Sequence, residues 1–467
     1  MPPTVLHRLE RLPATRSIWR LVVLLSIGGA FEFYDLILTG YASPGLIRSG
    51  IFHKGPGGIF GMTDQGTFAA ITFLGLFLGT LLLGFAADRF GRRAIFTFSL
   101  LWYAVATAIM AAQHSAAAVD LWRFIAGVGI GVELVTIDSY ISELVPASVR
   151  GRAFALNQAV QFCAVPVVAF LAWKLVPRDP LGIAGWRWLV LIPALGAAVV
   201  WWIRRRVPES PRWLVEHGRS AEAERIVSRL EQQVERDLQR RGASLPPAPD
   251  ILRPATGDPC PPAARLGVFA EIFGPAYRGR TVMLVALNFF QSIGYYGFNN
   301  WVPALIASRG IGLVQSLHYS FVIAIAFPLS PLLFLLFSDR IERKWQIVIA
   351  AAAVSGTGLA FAAQSQPALL ILFGLLLTIS TNLLSYSYHA YQAELFPTRI
   401  RARAVGFVYS FSRISTVLSS FAIAFLLERA GAGAVFAFIA GAMLMVVVAV
   451  APFGPRTRNQ PLEAISR

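Results

Sequence analysis

The sequence predicts an all-α membrane protein: twelve transmembrane helices in two pseudo-symmetric six-helix bundles. Three observations carry this. The chain of 467 residues is 56% hydrophobic and only 14% charged, with mean hydropathy +0.60, and a soluble domain of this size carries more charge. Apolar runs of about twenty residues, the length that crosses a bilayer, recur throughout. Two short runs also stand at matching places, Gly84-Phe-Ala-Ala-Asp88-Arg89-Phe-Gly91-Arg92-Arg93 and the more degenerate Ser338-Asp339-Arg340-Ile-Glu-Arg343-Lys344. Each follows one long apolar stretch and precedes another. An acid with clustered arginines between two spans reads as a tight cytoplasmic turn. Its recurrence after six spans' worth of sequence marks a duplicated bundle, the architecture of secondary transporters.

Taken in order, the first six spans are expected at 18–41, 66–87, 94–113, 118–142, 152–174 and 186–204. The first holds two acids, Glu32 and Asp35; the second runs into the first signature turn; the fourth holds Arg123 and a run of glycines. Residues 205–280 then break the pattern, being polar and rich in Arg and Pro. Within them, 219–241 has helical periodicity with intermixed charges and predicts one or two amphipathic cytoplasmic helices, whereas the proline-rich 243–264 predicts irregular chain. The second six spans follow at 281–306, 314–337, 345–364, 367–391, 402–427 and 433–453. The resulting division is 1–204 for the first bundle, 205–280 for the linker, 281–453 for the second bundle and 454–467 for a cytoplasmic tail. The outer loops are short except 42–65, which is glycine-rich and carries His53 and Lys54.

A net charge of +16 invites a nucleic-acid reading. The location of the charge argues against it. Of 41 Lys and Arg, two (Arg123 and Arg413) fall inside spans and seven on the side opposite the signature turns, which leaves 32 on the turn side together with both termini. This is the positive-inside bias, so both termini are expected in the cytoplasm of a cell whose inner membrane the chain crosses many times. The basicity reports topology and contact with the lipid bilayer rather than a nucleic-acid partner. The two cysteines, Cys163 in a span and Cys260 in the linker, predict no disulfide. No cleavable leader is expected, since the first span serves as an uncleaved anchor. No metal cluster, nucleophile triad or phosphate-binding loop is legible, which argues against an enzyme and against any cofactor.

Five motifs then point to a family: the turn at Gly84–Arg93; Arg123-Phe-Ile-Ala-Gly127-Val-Gly129-Ile-Gly131; Glu143-Leu-Val-Pro146 followed by Arg150-Gly151-Arg152; Pro208-Glu209-Ser210-Pro211-Arg212-Trp213-Leu214; and Glu394-Leu-Phe-Pro397-Thr-Arg399-Ile-Arg401. Over nearly its whole length the chain resembles the major facilitator superfamily, on the branch of sugar porters and metabolite:proton symporters, including organic-acid and niacin-type carriers. The resemblance implies two six-helix bundles around a midplane site working by alternating access, usually as a monomer, with a small-molecule substrate and protons as partners. Gly127, Gly129 and Gly131 are read as helix-packing positions.

Ionisable groups inside a span are costly, face the interior and find partners. In the proton-coupled relatives an Asp in the first span pairs with an Arg in the fourth, and Tyr34-Asp35 and Arg123 stand at those positions; the resemblance implies that protonation of Asp35 releases Arg123. Glu32 lies one turn before Asp35 on the same helix face, and two neighbouring acids in a low dielectric seldom both ionise, so it is a second proton candidate. Arg413, near the middle of span eleven, stands where organic-anion carriers contact a substrate carboxylate, and a guanidinium matches a carboxylate bidentately. The gate implied at the cytoplasmic end comprises Asp88, Arg89, Arg92, Glu143 and Arg150 in one half and Asp339, Arg340, Glu394 and Arg399 in the other.

The substrate positions depart from the sugar pattern. Gln158 and Gln291 match sugar ligands, but Phe290, Tyr296, Asn300-Trp301, Val165 and His389 replace others. The expected pocket, Gln158, Gln291, Tyr295, Tyr296, Asn299, Asn300, Trp301, His389 and Arg413, is therefore more aromatic and suits a small organic acid such as an aromatic or pyridine carboxylate. The alternative is a proton-coupled sugar or polyol porter.

Overall fold

The computed structural model of the protein describes residues 5–53, 55, 57–58, 62–83, 86–194, 207–245, 271–275, 277–337, 341–396 and 398–457. The second signature turn at 338–340 and most of the proline-rich linker lie outside these residues. What is described is almost wholly helical.

The helices follow the hydropathy runs. In the first half they are Arg16–Arg48, Asp64–Leu83 with the short Ala86–Phe90, Arg92–Ala111, Ala116–Leu144, and the pair Ala147–Phe162 and Ala164–Leu175. A sixth begins at 185 and is described to 194. In the second half they are Arg278–Asn299 with Val302–Ala307, Leu313–Ala324 with Ala326–Phe337, Arg343–Ala363, Pro367–Glu394 and Thr398–Phe453. The last holds spans eleven and twelve, separated by Gly431 alone, whose φ of 73° and ψ of −176° turn the chain without a loop. That backbone conformation suits a residue without Cβ. Local signals set several ends: Ser115 caps the fourth span by accepting from Ala118 N at 3.3 Å, as serine does at an N-cap.

The loop expected over 42–65 is shorter than its glycine content suggests. The first helix runs on through Pro44 to Arg48, and Asp64 already begins the second, accepting from His53 N at 2.8 Å. Proline leaves the carbonyl four residues back without its helical donor; here that residue is Gly40.

Outward faces are greasy. Leu81, Val105 and Leu444 are among large apolar residues more than half exposed, as lipid contact requires. Inside each half, helices approach at glycine. A Cβ on Gly127 would come 2.7 Å from Thr72 O, and one on Gly131 would overlap Leu76 O, so spans two and four touch backbone to backbone.

The two halves meet most closely at the sparsely charged end and in the middle of the molecule. Trp173 of span five stacks on Phe321 of span eight at 5.9 Å and approaches His318 at 4.5 Å. A Cβ on Gly40 would overlap Asn300 O of span seven. Toward the basic end the site of a Cβ on Gly406 is open space.

The amphipathic helix expected in 219–241 is Ser220–Gln239, with Ala223, Val227, Leu230, Val234 and Leu238 buried. Its partner was not legible in the sequence: a six-residue helix, Val5–Glu10, precedes the first span. Arg8 donates to both oxygens of Glu231, at 3.2 and 3.0 Å through Nε, and also pairs with Glu224; Arg11 pairs with Glu231 at 2.7 Å. Ser17 donates twice to Asp237 Oδ2, at 2.8 and 2.7 Å.

Candidate functional site

Asp35 and Arg123 are fully buried and form an ion pair of 2.7 Å between Nη1 and Oδ2. Arg123 Nη2 donates to Asp35 O at 2.6 Å and to Thr39 Oγ1 at 2.8 Å, and Nε donates to Thr72 Oγ1 at 3.0 Å. The charge is thus held by three groups one turn apart or less on span one and by a hydroxyl on span two. Asp35 Oδ1 has no hydrogen-bond partner. A buried pair of this kind is weak evidence for stability, since removing two charges from water costs about what their attraction returns.

A cavity of about 110 Å³ lies between the halves, one turn from this pair. Glu32, Phe33, Gln158 and Gln161 line it from the first half. Gln291, Tyr295, Tyr296, Tyr388, His389 and Arg413 close it from the second. A dry cavity of roughly 150 Å³ holds one benzene ring, so this one is on the scale of a single small ring. Arg413 is nearly buried. Its Nη1 donates to Tyr296 Oη at 2.9 Å and its Nη2 to Tyr409 Oη at 2.8 Å, with the guanidinium also over the two rings. The hydrogen bonds of this intramembrane cation go to phenols, not to a carboxylate.

His389 Nδ1 lies 2.7 Å from Ser385 O and Nε2 lies 3.1 Å from Tyr388 Oη. A carbonyl only accepts, so Nδ1 carries the proton and Nε2 accepts from the tyrosine. Both ring nitrogens are therefore occupied within the second half.

Six expected site residues, Gln158, Gln291, Tyr295, Tyr296, His389 and Arg413, line the cavity, as does Glu32. Asn299, Asn300 and Trp301 do not. A helix rises about 1.5 Å per residue, which places Asn299 about 12 Å beyond Gln291, toward the sparsely charged end. Trp301 there lines a separate crevice of about 660 Å³ with Arg48, His53 and Gln65. The side-chain amides of Asn299 and Asn300 are buried without partners.

The expected gate residues form ion pairs within each half. Arg92 grips Glu143 through Nε, at 3.1 Å to each oxygen, and through Nη2 at 2.8 Å. Glu209 accepts from the backbone N–H of Arg92 and Arg93 at 3.0 and 3.1 Å. Arg343 pairs with Glu394 at 2.7 Å. Both Arg–Glu pairs span 51 residues, an internal repeat in the contacts as well as in the sequence. Arg150 reaches Glu10 at 3.4 Å, and Arg89 lies over Phe90. Asp339 and Arg340 fall outside the described residues, as do the side chains of Asp88 and Arg399.

Three residues in or near this region were passed over in the sequence. Tyr409 stands four residues before Arg413, one helical turn, and that spacing was a usable signal. Tyr388 adjoins His389. Glu133 lies in span four, ten residues after Arg123, and is fully buried.

Comparison with known proteins gives the family and the fold. The family model for sugar (and other) transporters matches residues 21–467. A Bacillus subtilis (strain 168) protein named for metabolite transport, YyaJ, is 30% identical, with 98% of this chain and 96% of that one covered. The niacin transporter NiaP of Acinetobacter baylyi is 27% identical, with 99% of each chain covered. Among solved structures, a partially occluded inward-open conformation of the xylose transporter XylE from E. coli superposes with a TM-score of 0.73 at 19% identity, covering 95% of this chain and 99% of that one.

Proposed function

Because the chain belongs to the sugar (and other) transporter family, within the major facilitator superfamily, we propose that it is a proton-coupled symporter of a small, monoanionic, ring-bearing carboxylate. The observation that carries this is Arg413: a nearly buried guanidinium, bound to two phenols, facing a cavity sized for one ring. A substrate carboxylate would take over the guanidinium's planar fork, while Tyr295 and Tyr296 supply ring contacts. The niacin carrier among the relatives supports a pyridine carboxylate.

Coupling follows from the buried pair. With Asp35 ionised, Arg123 is held to span one. A proton on Asp35 removes the counter-charge and leaves Arg123 with the threonine hydroxyls it already meets, so spans one, two and four can shift together. Glu32, on the cavity wall, is the entry point for that proton. The Arg–Glu pairs at the basic end act as the gate. We place that end, with both chain termini, on the cytoplasmic side of the inner membrane.

A second reading, a sugar or polyol porter, is favoured by Gln158, Gln161 and Gln291, whose amides line the same cavity. One experiment separates them. In proteoliposomes, uptake of labelled nicotinate should be displaced by other aromatic or pyridine carboxylates and not by neutral hexoses or polyols. Arg413→Lys keeps the charge but loses the fork and should weaken carboxylate binding by roughly tenfold or more, the scale of one charge-assisted hydrogen bond. Displacement by a hexose, with Arg413→Lys inert, would transfer the protein to the second reading.

A further inference from the structure

Among the described residues, Glu133 is a fully buried acid in the middle of the first half to which neither the ion pair nor the cavity gives a function. Its side chain is fully buried, and neither Oε1 nor Oε2 has a hydrogen-bond partner. Its position is fixed from span one: a Cβ on Gly28 would lie 3.7 Å from Glu133 Oε1. Gly28, Glu32 and Asp35 are spaced by four and three residues, so they share one helix face. Span four lays Glu133 beside the start of that face and Arg123 beside its end. Among the described residues, the titratable groups that face Glu133 are Glu32 of span one and Tyr103 of span three.

Among the described residues, no cation hydrogen-bonds to Glu133. Arg123 spends four N–H groups on Asp35, Thr39 and Thr72. An ionised carboxylate without a hydrogen bond or counter-charge is not sustained in a dry interior; the group takes a proton instead. Two neighbouring carboxyls, moreover, titrate as a pair rather than singly. Glu32 lines the cavity and Glu133 does not, which gives the pair a wet member and a dry one.

We propose that Glu133 is a second proton-carrying residue: a neutral carboxylic acid in this conformation, loaded from the cavity through Glu32, so that each cycle moves its proton as well as that of Asp35. The transfer is a simple exchange. The Glu32 carboxyl gives its proton to the Glu133 carboxylate, and is reprotonated from cavity water. This inference rests on the symport reading above, and the test keeps the two apart.

Infrared difference spectroscopy on the full-length protein in bilayers, between alkaline and neutral pH, should show a protonated-carboxyl C=O band at neutral pH. That band should persist in Asp35→Asn and vanish in Glu133→Gln. In proteoliposomes, the ratio of protons to substrate should fall from two in the wild type to one in Glu133→Gln. Should Glu133→Gln not fold, Glu133→Asp decides instead, because a shorter carboxyl keeps the band but shifts its frequency, and an unshifted band would assign it to another acid. A band unaffected by Glu133→Gln, or a ratio of one in both proteins, would overturn the proposal and leave symport standing. A wild type that takes up substrate with no protons at all would overturn symport itself.

Discussion

Asp35→Asn is the sharpest perturbation of the coupling element, because asparagine keeps the shape and removes only the charge. Arg123 would retain its bonds to Asp35 O, Thr39 and Thr72 but would lose its counter-ion in a fully buried site. Removing one partner of a buried pair costs about 3–5 kcal/mol, and the three retained bonds put this case near 3 kcal/mol. For a cooperative unit of 150–250 residues, the size of one half, that corresponds to a fall in Tm of roughly 6–12 °C. Arg123→Met should cost less, since an orphaned Asp35 escapes by taking a proton. The double variant Asp35→Asn/Arg123→Met should recover much of the loss, giving a coupling energy of about 1–3 kcal/mol. Thermal unfolding followed by tryptophan fluorescence in detergent gives all four stabilities. The same Asp35→Asn protein, reconstituted, should lose accumulation driven by a pH gradient. An Asp35→Asn protein as stable as the wild type, or one that still accumulates substrate uphill, would refute the reasoning.

Two further predictions concern packing and the N-terminal clamp. Gly127→Ala places a Cβ 2.7 Å from Thr72 O, where ordinary contact begins near 3.4 Å; it should destabilise by about 1–3 kcal/mol as overpacking does, whereas Gly406→Ala, which meets nothing, should be neutral or slightly stabilising, and equal effects in thermal unfolding would count against the close approach of spans two and four. Burial pushes the Glu231 carboxyl up, but the hydrogen bonds and charges of Arg8 and Arg11 outweigh it and hold it below its usual range; the Ser17 hydroxyl and backbone N–H likewise hold Asp237 low. A lowered folded-state value means stability that is present above the ordinary carboxylate range, about pH 4, and lost as pH falls through the lowered value. Amide-exchange protection over residues 5–17, corrected for the intrinsic pH dependence of exchange, should therefore be high at neutral pH and fall in acid, and Arg8→Ala should lower it at neutral pH as well.

Much of this site was legible because charge inside a membrane leaves few options. Asp35 and Arg123 could be paired on paper: each needed a partner, and the family positions supplied one. Arg413 was legible as a cation that must be held, but not its holders, since Tyr296 comes from span seven. The spans were readable from apolar length alone, with their ends displaced wherever helix continued through a proline, as at Pro44. Asn299, Asn300 and Trp301 were matched to ligand positions by order along the chain; the helical rise carries them past the cavity. The clamp made by Val5–Glu10 left no trace in periodicity, because six residues are too few to show one, and its arginines meet a helix more than two hundred residues away.

The matched Arg92–Glu143 and Arg343–Glu394 pairs align the halves with an offset of 251 residues. By that offset Arg123 corresponds to Gly374, and Thr72, its hydroxyl partner, to Ile323. Those two do meet: a Cβ on Gly374 would overlap the end of Ile323. Along the first and seventh spans, Gly40-Tyr-Ala-Ser-Pro44-Gly-Leu-Ile47 aligns with Asn299-Asn-Trp-Val-Pro303-Ala-Leu-Ile306, which sets Asp35 opposite Gly294 and Glu32 opposite Gln291. Gly294 packs on Met443. Where one copy of the ancestral repeat keeps an acid and a base, the other has a glycine at each place and a greasy contact in their stead. The repeat gives the molecule two halves of similar build that differ in where they keep charge. On the proposed reading, the acid and base that couple protons and the Arg413 that meets the cargo sit on opposite sides of the crevice, so a substitution on one side can leave the other undisturbed.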